Sequence, residues 1–328
     1  MIRILASLFV VTIAIQVRAE DDATITKTKD TLEFKIGTEL VTRYHIGKDV
    51  AKPYFYPAYA PGNIPVTRAW PMEKGAPKET TDHVHQKSIW FCHGDIIPEG
   101  IEVKQKIKGI KGVDFWSENV GHGIIAVVEV GEPKNTGNRS VIATKNEWRT
   151  ADDIKVLDES RVFRFEKLPS GNRLLVLEID LHASVCPLVF GDTKEGSMGV
   201  RVNDEIIGKN GGHFTNADGK IDEKEIWGHP SPWCDYVGSI GGKTAGIAIF
   251  DDPANKPSAV WHARAYGLMA ANPFGRDGSF PSQKGNTDLF KMAKGDHLKL
   301  RFGVLIHAGD TKEAKVAYAF EAFKKRMD

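Results

Sequence analysis

The first stretch whose residues could carry chemistry runs from Asp82 to Asp95 and holds His83, His85 and His93. If the chain is extended here, His83 and His85 point to the same face, because side chains alternate along a strand. Two imidazoles placed in this way can bind a metal, or one can donate a proton while the other accepts one. Three interpretations stay open: structural histidines, a divalent metal site at His83 and His85, and a metal-free acid–base site.

The second stretch, residues 227–236, places aromatic rings beside polar side chains. A sugar stacks its C–H faces on such rings, while its hydroxyl groups need polar partners. Trp233 and Tyr236 are therefore candidates for a sugar-binding platform, with Asp235 as a hydroxyl acceptor. The alternative is a buried corner built from tryptophan and proline.

The third stretch, residues 261–275, carries His262, Arg264 and Tyr266 with an alanine between each pair. Alternation places these three polar side chains on one face. A buried guanidinium needs a partner, and we predict that the three line one pocket with the His83 and His85 pair. Asn272 follows in the same stretch and joins the candidate ligand-binding residues. A purely structural salt bridge at Arg264 is the alternative.

The elements that must position these stretches are predicted to be strands, because apolar residues alternate with polar ones in short segments separated by Gly, Pro, Asn and Asp. Pro169 to Asn172 is a hairpin turn between two of them. The predicted strands are 32–36, 101–107, 123–130, 141–149, 162–168, 174–181, 198–202, 244–250, 260–265 and 298–306.

A helix is predicted at the C-terminal end, since Val316, Phe320 and Phe323 form one apolar stripe and Asp310 with Glu313 can cap it. The region 54–80, rich in Pro and Gly, is predicted to be a long functional loop. The fold class is all-β: a large antiparallel β-sandwich with a C-terminal helix, for which the galactose-mutarotase-like supersandwich is a candidate form.

Targeting is indicated by the first residues. Arg3 precedes the apolar run 4–17, and Val17-Arg18-Ala19 is a cleavage pattern, so residues 1–19 are predicted to be a signal peptide. The mature chain, residues 20–328, is then one β-sandwich domain, periplasmic or secreted, with no membrane span. The net charge is +1 and its charges are mixed, which argues against nucleic acid as a partner. The three cysteines lie in apolar surroundings and are predicted to be buried thiols.

The chain also resembles a family of exported bacterial proteins of unassigned function, of the DUF6807 type, labelled "methane oxygenase PmoA-like". Its matching stretches are 54–57, 65–71, 82–85, 191–196, 232–236 and 261–275. The family pattern has His and then Arg after the position of His85, where this chain has Gln86 and Lys87. The resemblance adds Glu195 to the candidate ligand-binding residues, beside His93, and implies a β-sandwich acting in polysaccharide-degrading bacteria.

Together these observations predict an exported carbohydrate-active enzyme that hydrolyses, eliminates or epimerises a sugar or sugar acid. His83, His85 and His262 are the candidate acid–base groups, and Arg264 would hold a carboxylate or a pair of hydroxyls. The alternatives are a non-catalytic glycan-binding protein and a metal-dependent oxygenase, as the family label suggests. The oxygenase would need the two histidines and a carboxylate around iron or copper.

Overall fold

A computed structural model describes residues 22–73 and 79–325. The predicted signal peptide lies outside these residues. The strands are β1 Ala23–Lys27, β2 Thr31–Ile36, β3 Glu39–His45, β4 Tyr54–Ala60, β5 Ile64–Pro65, β6 Ile89–His93, β7 Ile96–Pro98, β8 Ile124–Val130, β9 Lys134–Thr136, β10 Arg139–Arg149, β11 Lys155–Lys167, β12 Arg173–His182, β13 Leu188–Phe190, β14 Gly196–Arg201, β15 His213–Asn216, β16 Trp233–Ile240, β17 Lys243–Asp251, β18 Val260–Arg264, β19 Leu268–Asn272, β20 Phe290–Met292 and β21 His297–Ala308. The α-helices are α1 Asp222–Ile226 and α2 Val316–Lys325, and short 3₁₀ turns cover Asp204–Ile206, Gly208–Asn210 and Pro281–Gln283. Within the described residues, no helix is long and apolar enough to cross a membrane.

The strands form two large antiparallel sheets and one small one. The first sheet has the order β1-β2-β3-β4-β6-β14-β19-β18, with β5 paired to β4. The second has the order β15-β16-β17-β21-β12-β11-β10-β8, with β9 paired to β10, and the small sheet has the order β20-β13-β7. Neighbouring strands in the first sheet come from distant parts of the sequence, which brings the first and third candidate stretches together.

The two large sheets share one apolar core. Phe34 of β2 meets Phe163 of β11 with ring centroids 6.1 Å apart, and Tyr44 of β3 meets the same ring at 4.6 Å. Phe91 of β6 contacts Trp148 of β10 in the same way, at 6.2 Å. Fully buried aromatic side chains supply much of the hydrophobic stabilisation of such a core. The predicted all-β antiparallel sandwich is therefore confirmed.

Helix α2 covers the outer face of the second sheet. Val316, Phe320 and Phe323 are buried in a separate apolar cluster there. The Asp310 carboxylate accepts hydrogen bonds from the backbone N–H of Glu313, and the Glu313 carboxylate accepts one from the Asp310 N–H at 3.0 Å. This reciprocal pair is the predicted cap, and it closes the turn that leads into the helix.

Most strand predictions are confirmed, including the β11–β12 hairpin, whose turn contains Gly171 with φ +83°. The prediction of a strand over 101–107 is wrong: the segment has no partner strand and turns back at Ile107, whose carbonyl accepts the Ile110 N–H. The predicted loop 54–80 is also wrong at its start, because residues 54–60 pair with three strands. The cysteines are free and buried, as predicted.

Candidate functional site

The candidate site is built on the outer face of the first sheet, away from the second sheet. Directly opposed residues in antiparallel strands point to the same face. Because Phe91 points into the core, its neighbour Trp90 points outward. Strand pairing then places on the outer face a row that crosses the sheet: Tyr54, Trp90, Gly199, Ala270 and His262.

Small residues in the middle of this row are covered by larger neighbours, and the whole row is buried. A Cβ added to Gly199 would lie 2.7 Å from Cζ2 of Trp90, so the indole ring lies directly over this glycine. Trp90 also packs against Trp116, with ring centroids 5.0 Å apart. The floor of the site is therefore aromatic at one end and carries the His262 imidazole at the other.

The His83–His85 segment approaches this floor as a turn. The sequence prediction of an extended segment is wrong here: His83 has φ +45°, and its carbonyl accepts the Gln86 N–H at 2.9 Å. Arg68 donates a further hydrogen bond to the same carbonyl, at 3.1 Å. The two imidazole rings still lie near each other, with centroids 5.7 Å apart and planes at 79°.

The hairpin between β18 and β19 brings Tyr266 against His83. The two rings are stacked, with centroids 5.1 Å apart and planes within 4°. Arg201, on the opposite side, has its guanidinium carbon 4.8 Å from the Tyr266 ring centroid. Thus the first and third candidate stretches meet although they are far apart in sequence.

Asp82 holds the His83 ring in place. Its Oδ2 lies 2.7 Å from His83 Nδ1, and its Oδ1 accepts from Arg68 at 2.6 Å and from Arg201 at 3.0 Å. Burial alone would raise the Asp82 pKa, but the charge of Arg201 and the bonds to His83 and Arg68 lower it to about 2. A permanently ionised Asp82 fixes the N–H of His83 on Nδ1 and leaves Nε2 as the proton acceptor.

Two further histidines are kept neutral. Burial, reinforced by the charge of Lys52, lowers the pKa of His85 to about 3. Burial, reinforced by Lys194 and Arg264, lowers the pKa of His262 to about 3 as well. The Nδ1 atom of His262 donates to the Lys194 carbonyl at 2.9 Å. Neutral imidazoles can hydrogen-bond a hydroxyl group but hold no proton to donate as imidazolium.

Burial raises the pKa values of Glu195 and Tyr266, whereas it lowers those of His85 and His262. The charge of Lys194 opposes this rise in part at Glu195. The negative charge of Glu195 also raises the pKa of Tyr266, and the positive charge of Arg264 lowers the pKa of Glu195. The structure thus brings together six of the predicted residues, which we call the histidine site: His83, His85, Glu195, His262, Arg264 and Tyr266.

A lysine–glutamate pair borders the histidine site on the His85 side. Glu118 is bound by Lys52 at 3.2 Å and by Lys87 at 2.7 Å. Lys52 is fully buried and also donates to the Trp116 carbonyl at 2.8 Å. Lys87 lies over the Tyr54 ring at the end of the floor, 5.6 Å from its centroid.

The predicted aromatic platform is wrong. Tyr236 is fully buried in the core of the second sheet, and Trp233 is packed in the cluster under α2. Asp235 is fully buried as well and pairs with His307 at 2.9 Å. Tyr236 contributes only indirectly, because its hydroxyl donates to the Ala265 carbonyl at 3.1 Å and so supports the hairpin that carries Tyr266.

His93 and Asn272 also lie outside the histidine site. His93 shares the face of Phe91 rather than that of Trp90, and it is buried with Nε2 3.0 Å from the Gly191 carbonyl. Asn272 is buried and shapes the following loop, since its Oδ1 accepts the Phe274 N–H at 2.9 Å. Both are hydrogen-bonded structural groups, one of the interpretations left open by the sequence.

Sequence reasoning missed the residues that hold the site together. Arg68 and Arg201 are fully buried beside Asp82, and Glu118 joins the two lysines. Asp82 follows no catalytic motif, and its only signal was adjacency to His83. Arg201 lies in a strand that reads as ordinary alternation, so nothing in its surroundings marked it.

The residues present do not fit the metal centre that the family label implies. Among residues 22–73 and 79–325, no group of three His, Cys, Asp or Glu side chains is placed to hold a metal ion. His83 Nδ1 is already bonded to Asp82. No chemical step is therefore derived through a metal here.

Three other cavities lie elsewhere on the surface. Their volumes are about 340, 470 and 500 Å³, and none of the three is lined by a histidine. The first lies between α2 and the β11–β12 turn, the second on the outer face of the second sheet, and the third beside Asp251. None of the three cavities is lined by the histidine, arginine and glutamate side chains that meet at the histidine site.

Comparisons place the chain in a family without assigning its activity. The chain belongs to the DUF6807 family of unknown function, whose model matches residues 31–321. Among curated proteins, none matches the sequence significantly. The resemblance predicted from the sequence is thus confirmed.

Solved structures show a distant likeness. Galactose 1-epimerase from Lactobacillus acidophilus NCFM is 8% identical, with 88% of this chain and 99% of that one covered and a TM-score of 0.40. A GalM/aldose epimerase homologue from C. elegans is 11% identical, with 86% and 98% covered and a TM-score of 0.33. A β-arabinopyranosidase is 9% identical with a TM-score of 0.39; 81% of this chain is covered, but the match spans only 39% of that protein. These likenesses carry no argument about chemistry.

Proposed function

We propose that this member of the DUF6807 family is an exported enzyme that performs acid–base chemistry on a sugar at the histidine site. The observation that carries the proposal is the Asp82–His83 pair, stacked on Tyr266 and open to solvent on its other side. The His83 side chain is 39% exposed, so a ligand can reach it. Its orientation by an ionised carboxylate is the arrangement that general bases use.

The residues have distinct roles in this proposal. His83 accepts a proton at Nε2, and Asp82 stabilises the imidazolium that forms. Glu195, whose pKa is raised by burial, is the group that returns a proton. The substrate atom that faces His83 Nε2 would decide between hydrolysis, elimination and epimerisation.

A sugar suits the remaining groups. Hydroxyls donate and accept hydrogen bonds. The neutral imidazole of His85 can do both, and His262, whose Nδ1–H binds the Lys194 carbonyl, can accept at Nε2. An isolated charged or wholly apolar ligand would leave these neutral polar groups without partners.

The experiment compares two histidines that each pair with an aspartate and are similarly exposed. His297 pairs with Asp180 at 2.8 Å, and its side chain is 49% exposed, but it lies on the second sheet outside the histidine site. The mature wild type, His83→Ala and His297→Ala would be incubated with a panel of neutral and acidic mono- and oligosaccharides. Products would be followed by NMR, and binding by calorimetry.

We expect His83→Ala to lower turnover about 100-fold or more while affinity changes little, because proton transfer acts in the transition state. His297→Ala should match the wild type. Unchanged turnover in His83→Ala would refute the role of His83. Binding without turnover in the wild type would favour the non-catalytic glycan-binding alternative, and binding of no sugar would refute the carbohydrate proposal.

Export is part of the proposal, on the strength of the apolar run 4–17 and the pattern ending at Ala19. Mass spectrometry of the protein recovered from the periplasm or medium should find Glu20 at the N-terminus. Retention of Met1 in that protein would contradict signal cleavage.

A further inference from the structure

We propose that the ligand of the histidine site is a sugar acid, and that its carboxylate binds the outer edge of the Arg264 guanidinium with Lys194 beside it. This inference rests on the proposed function and narrows it from sugars in general to uronic acids. It makes Arg264 the residue that determines specificity.

Arg264 is held rigidly but is incompletely bonded. Its guanidinium carbon lies 5.8 Å from the Tyr266 ring centroid and 5.9 Å from that of Trp227, so two aromatic rings fix its direction. Its Nε is 2.9 Å from Glu223 Oε1, but the N–H is not directed at that oxygen. Among the described residues, neither Nη atom has a hydrogen-bond acceptor, and the side chain is 31% exposed. A planar guanidinium whose Nη–H groups have no acceptor can donate to both oxygens of a carboxylate.

Glu223 does not use up this capacity. Its Oε2 accepts the Ala265 N–H at 2.8 Å, which ties the carboxylate to the backbone of the hairpin. Its side chain is 36% exposed, and an ion pair this open to water contributes little free energy. A ligand carboxylate can therefore approach the opposite edge of the guanidinium without breaking the pair.

Cations lie close to the histidine site, but most of them are paired. Asp82 is shared by two arginines, one of which also faces Asp204, and Glu118 is shared by two lysines. The cations that a ligand can reach are Lys194, which is exposed, and the partly exposed Arg264. Besides burial, both help to lower the pKa of His262. Their accessible charges attract an anion.

The charge available at Arg264 and Lys194 favours a carboxylate over a phosphate ester. Arg264 is already paired with Glu223, so these two groups and Lys194 together carry one net positive charge, which a single carboxylate neutralises. A phosphate ester carries nearly two negative charges and offers three oxygens. Sulfated and phosphorylated sugars share the same anionic chemistry, so the experiment includes them as separate arms.

The test measures binding by calorimetry at constant ionic strength. The probes are D-glucuronate, D-galacturonate and their oligomers, the matched neutral glucose and galactose series, the 6-sulfate and 6-phosphate esters, and inorganic phosphate. The proteins are the mature wild type, Arg264→Gln and Arg264→Lys. The control is Arg43→Gln, because Arg43 also contacts one glutamate through Nε, at 2.8 Å, and its side chain is 40% exposed.

We expect an acidic sugar to bind the wild type about tenfold or more tighter than its neutral counterpart, as one charged bidentate contact allows. Arg264→Gln should abolish that preference, Arg264→Lys should restore part of it, and Arg43→Gln should keep it. Neutral sugars bound equally well by wild type and Arg264→Gln, with no acid preference, would overturn this inference and leave the proposed function standing. Tighter binding of the esters or of phosphate alone would also overturn it. If no sugar of any kind binds, the proposed function itself fails.

Discussion

Two of the Asp–His pairs among the described residues have nearly the same N–O distance but lie in very different places. Asp82 and His83 lie 2.7 Å apart at the edge of the first sheet, with side chains 43% and 39% exposed. Asp235 and His307 lie 2.9 Å apart between β16 and β21 and are fully buried. The first pair can meet a ligand, whereas the second can only hold the protein together.

The third pair, Asp180 and His297, shows that exposure alone does not make a site. Its atoms lie 2.8 Å apart, and the His297 ring stacks on His182. No buried arginine is bonded to Asp180, while Asp82 is bonded to both Arg68 and Arg201. What distinguishes the Asp82–His83 pair is therefore its surroundings: buried cations behind it and an aromatic ring and neutral imidazoles beside it.

The largest expected difference between the buried and the exposed pair is in the free energy of unfolding. His307→Ala should lower the free energy of unfolding by about 3–5 kcal/mol, because it leaves the Asp235 carboxylate buried without its counterion. His83→Ala should cost less than about 1 kcal/mol, since an exposed ion pair contributes little. Urea denaturation of the wild type, His307→Ala and His83→Ala measures both differences in the free energy of unfolding.

The matched exposed variant His297→Ala serves as the control and should resemble His83→Ala. If His307→Ala were no less stable than His83→Ala, the buried pair would not have the structural role assigned to it. Asp235 keeps one further partner in that variant, the Thr311 hydroxyl at 2.7 Å, which limits the loss.

The strands that carry these pairs show which features of the fold the sequence could predict. Alternation predicted β2 and β10, which bury one face, and apolar runs predicted β12, β17 and β21, which bury both faces where α2 covers the sheet. Alternation also placed a strand at 101–107, where apolar residues alternate with lysines but no strand is available to pair. Periodicity reports which side chains can be buried together, and pairing depends on the whole sheet.

For the site, the sequence could indicate His83, His85, His262, Arg264 and Tyr266, because short spacing puts chemically useful groups near one another. It could not separate them from Trp233, Asp235 and Tyr236, whose composition suits a sugar equally well. Packing decides the matter: the turn that carries His83 leaves its side chain 39% exposed, whereas Trp233, Asp235 and Tyr236 on β16 are buried by α2 and by the opposing sheet. Neither property is encoded within the short stretches themselves.

A smaller effect, on pH dependence, separates the buried pair from the exposed one. Burial would lower the pKa of His307, but the charge of Asp235 and its hydrogen bond outweigh this and raise it. Since the folded pKa lies above the usual value near 6.5, the pair contributes its full stability below pH 6.5 and loses it as pH rises through the folded pKa. The free energy of unfolding of the wild type should therefore fall relative to that of His307→Ala above pH 6.5. Denaturation from pH 5 to 9 measures the difference, in which groups common to both proteins cancel. A constant difference across that range would mean that His307 is neutral in the folded protein, and the Asp235–His307 contact would then be a hydrogen bond without an ion pair.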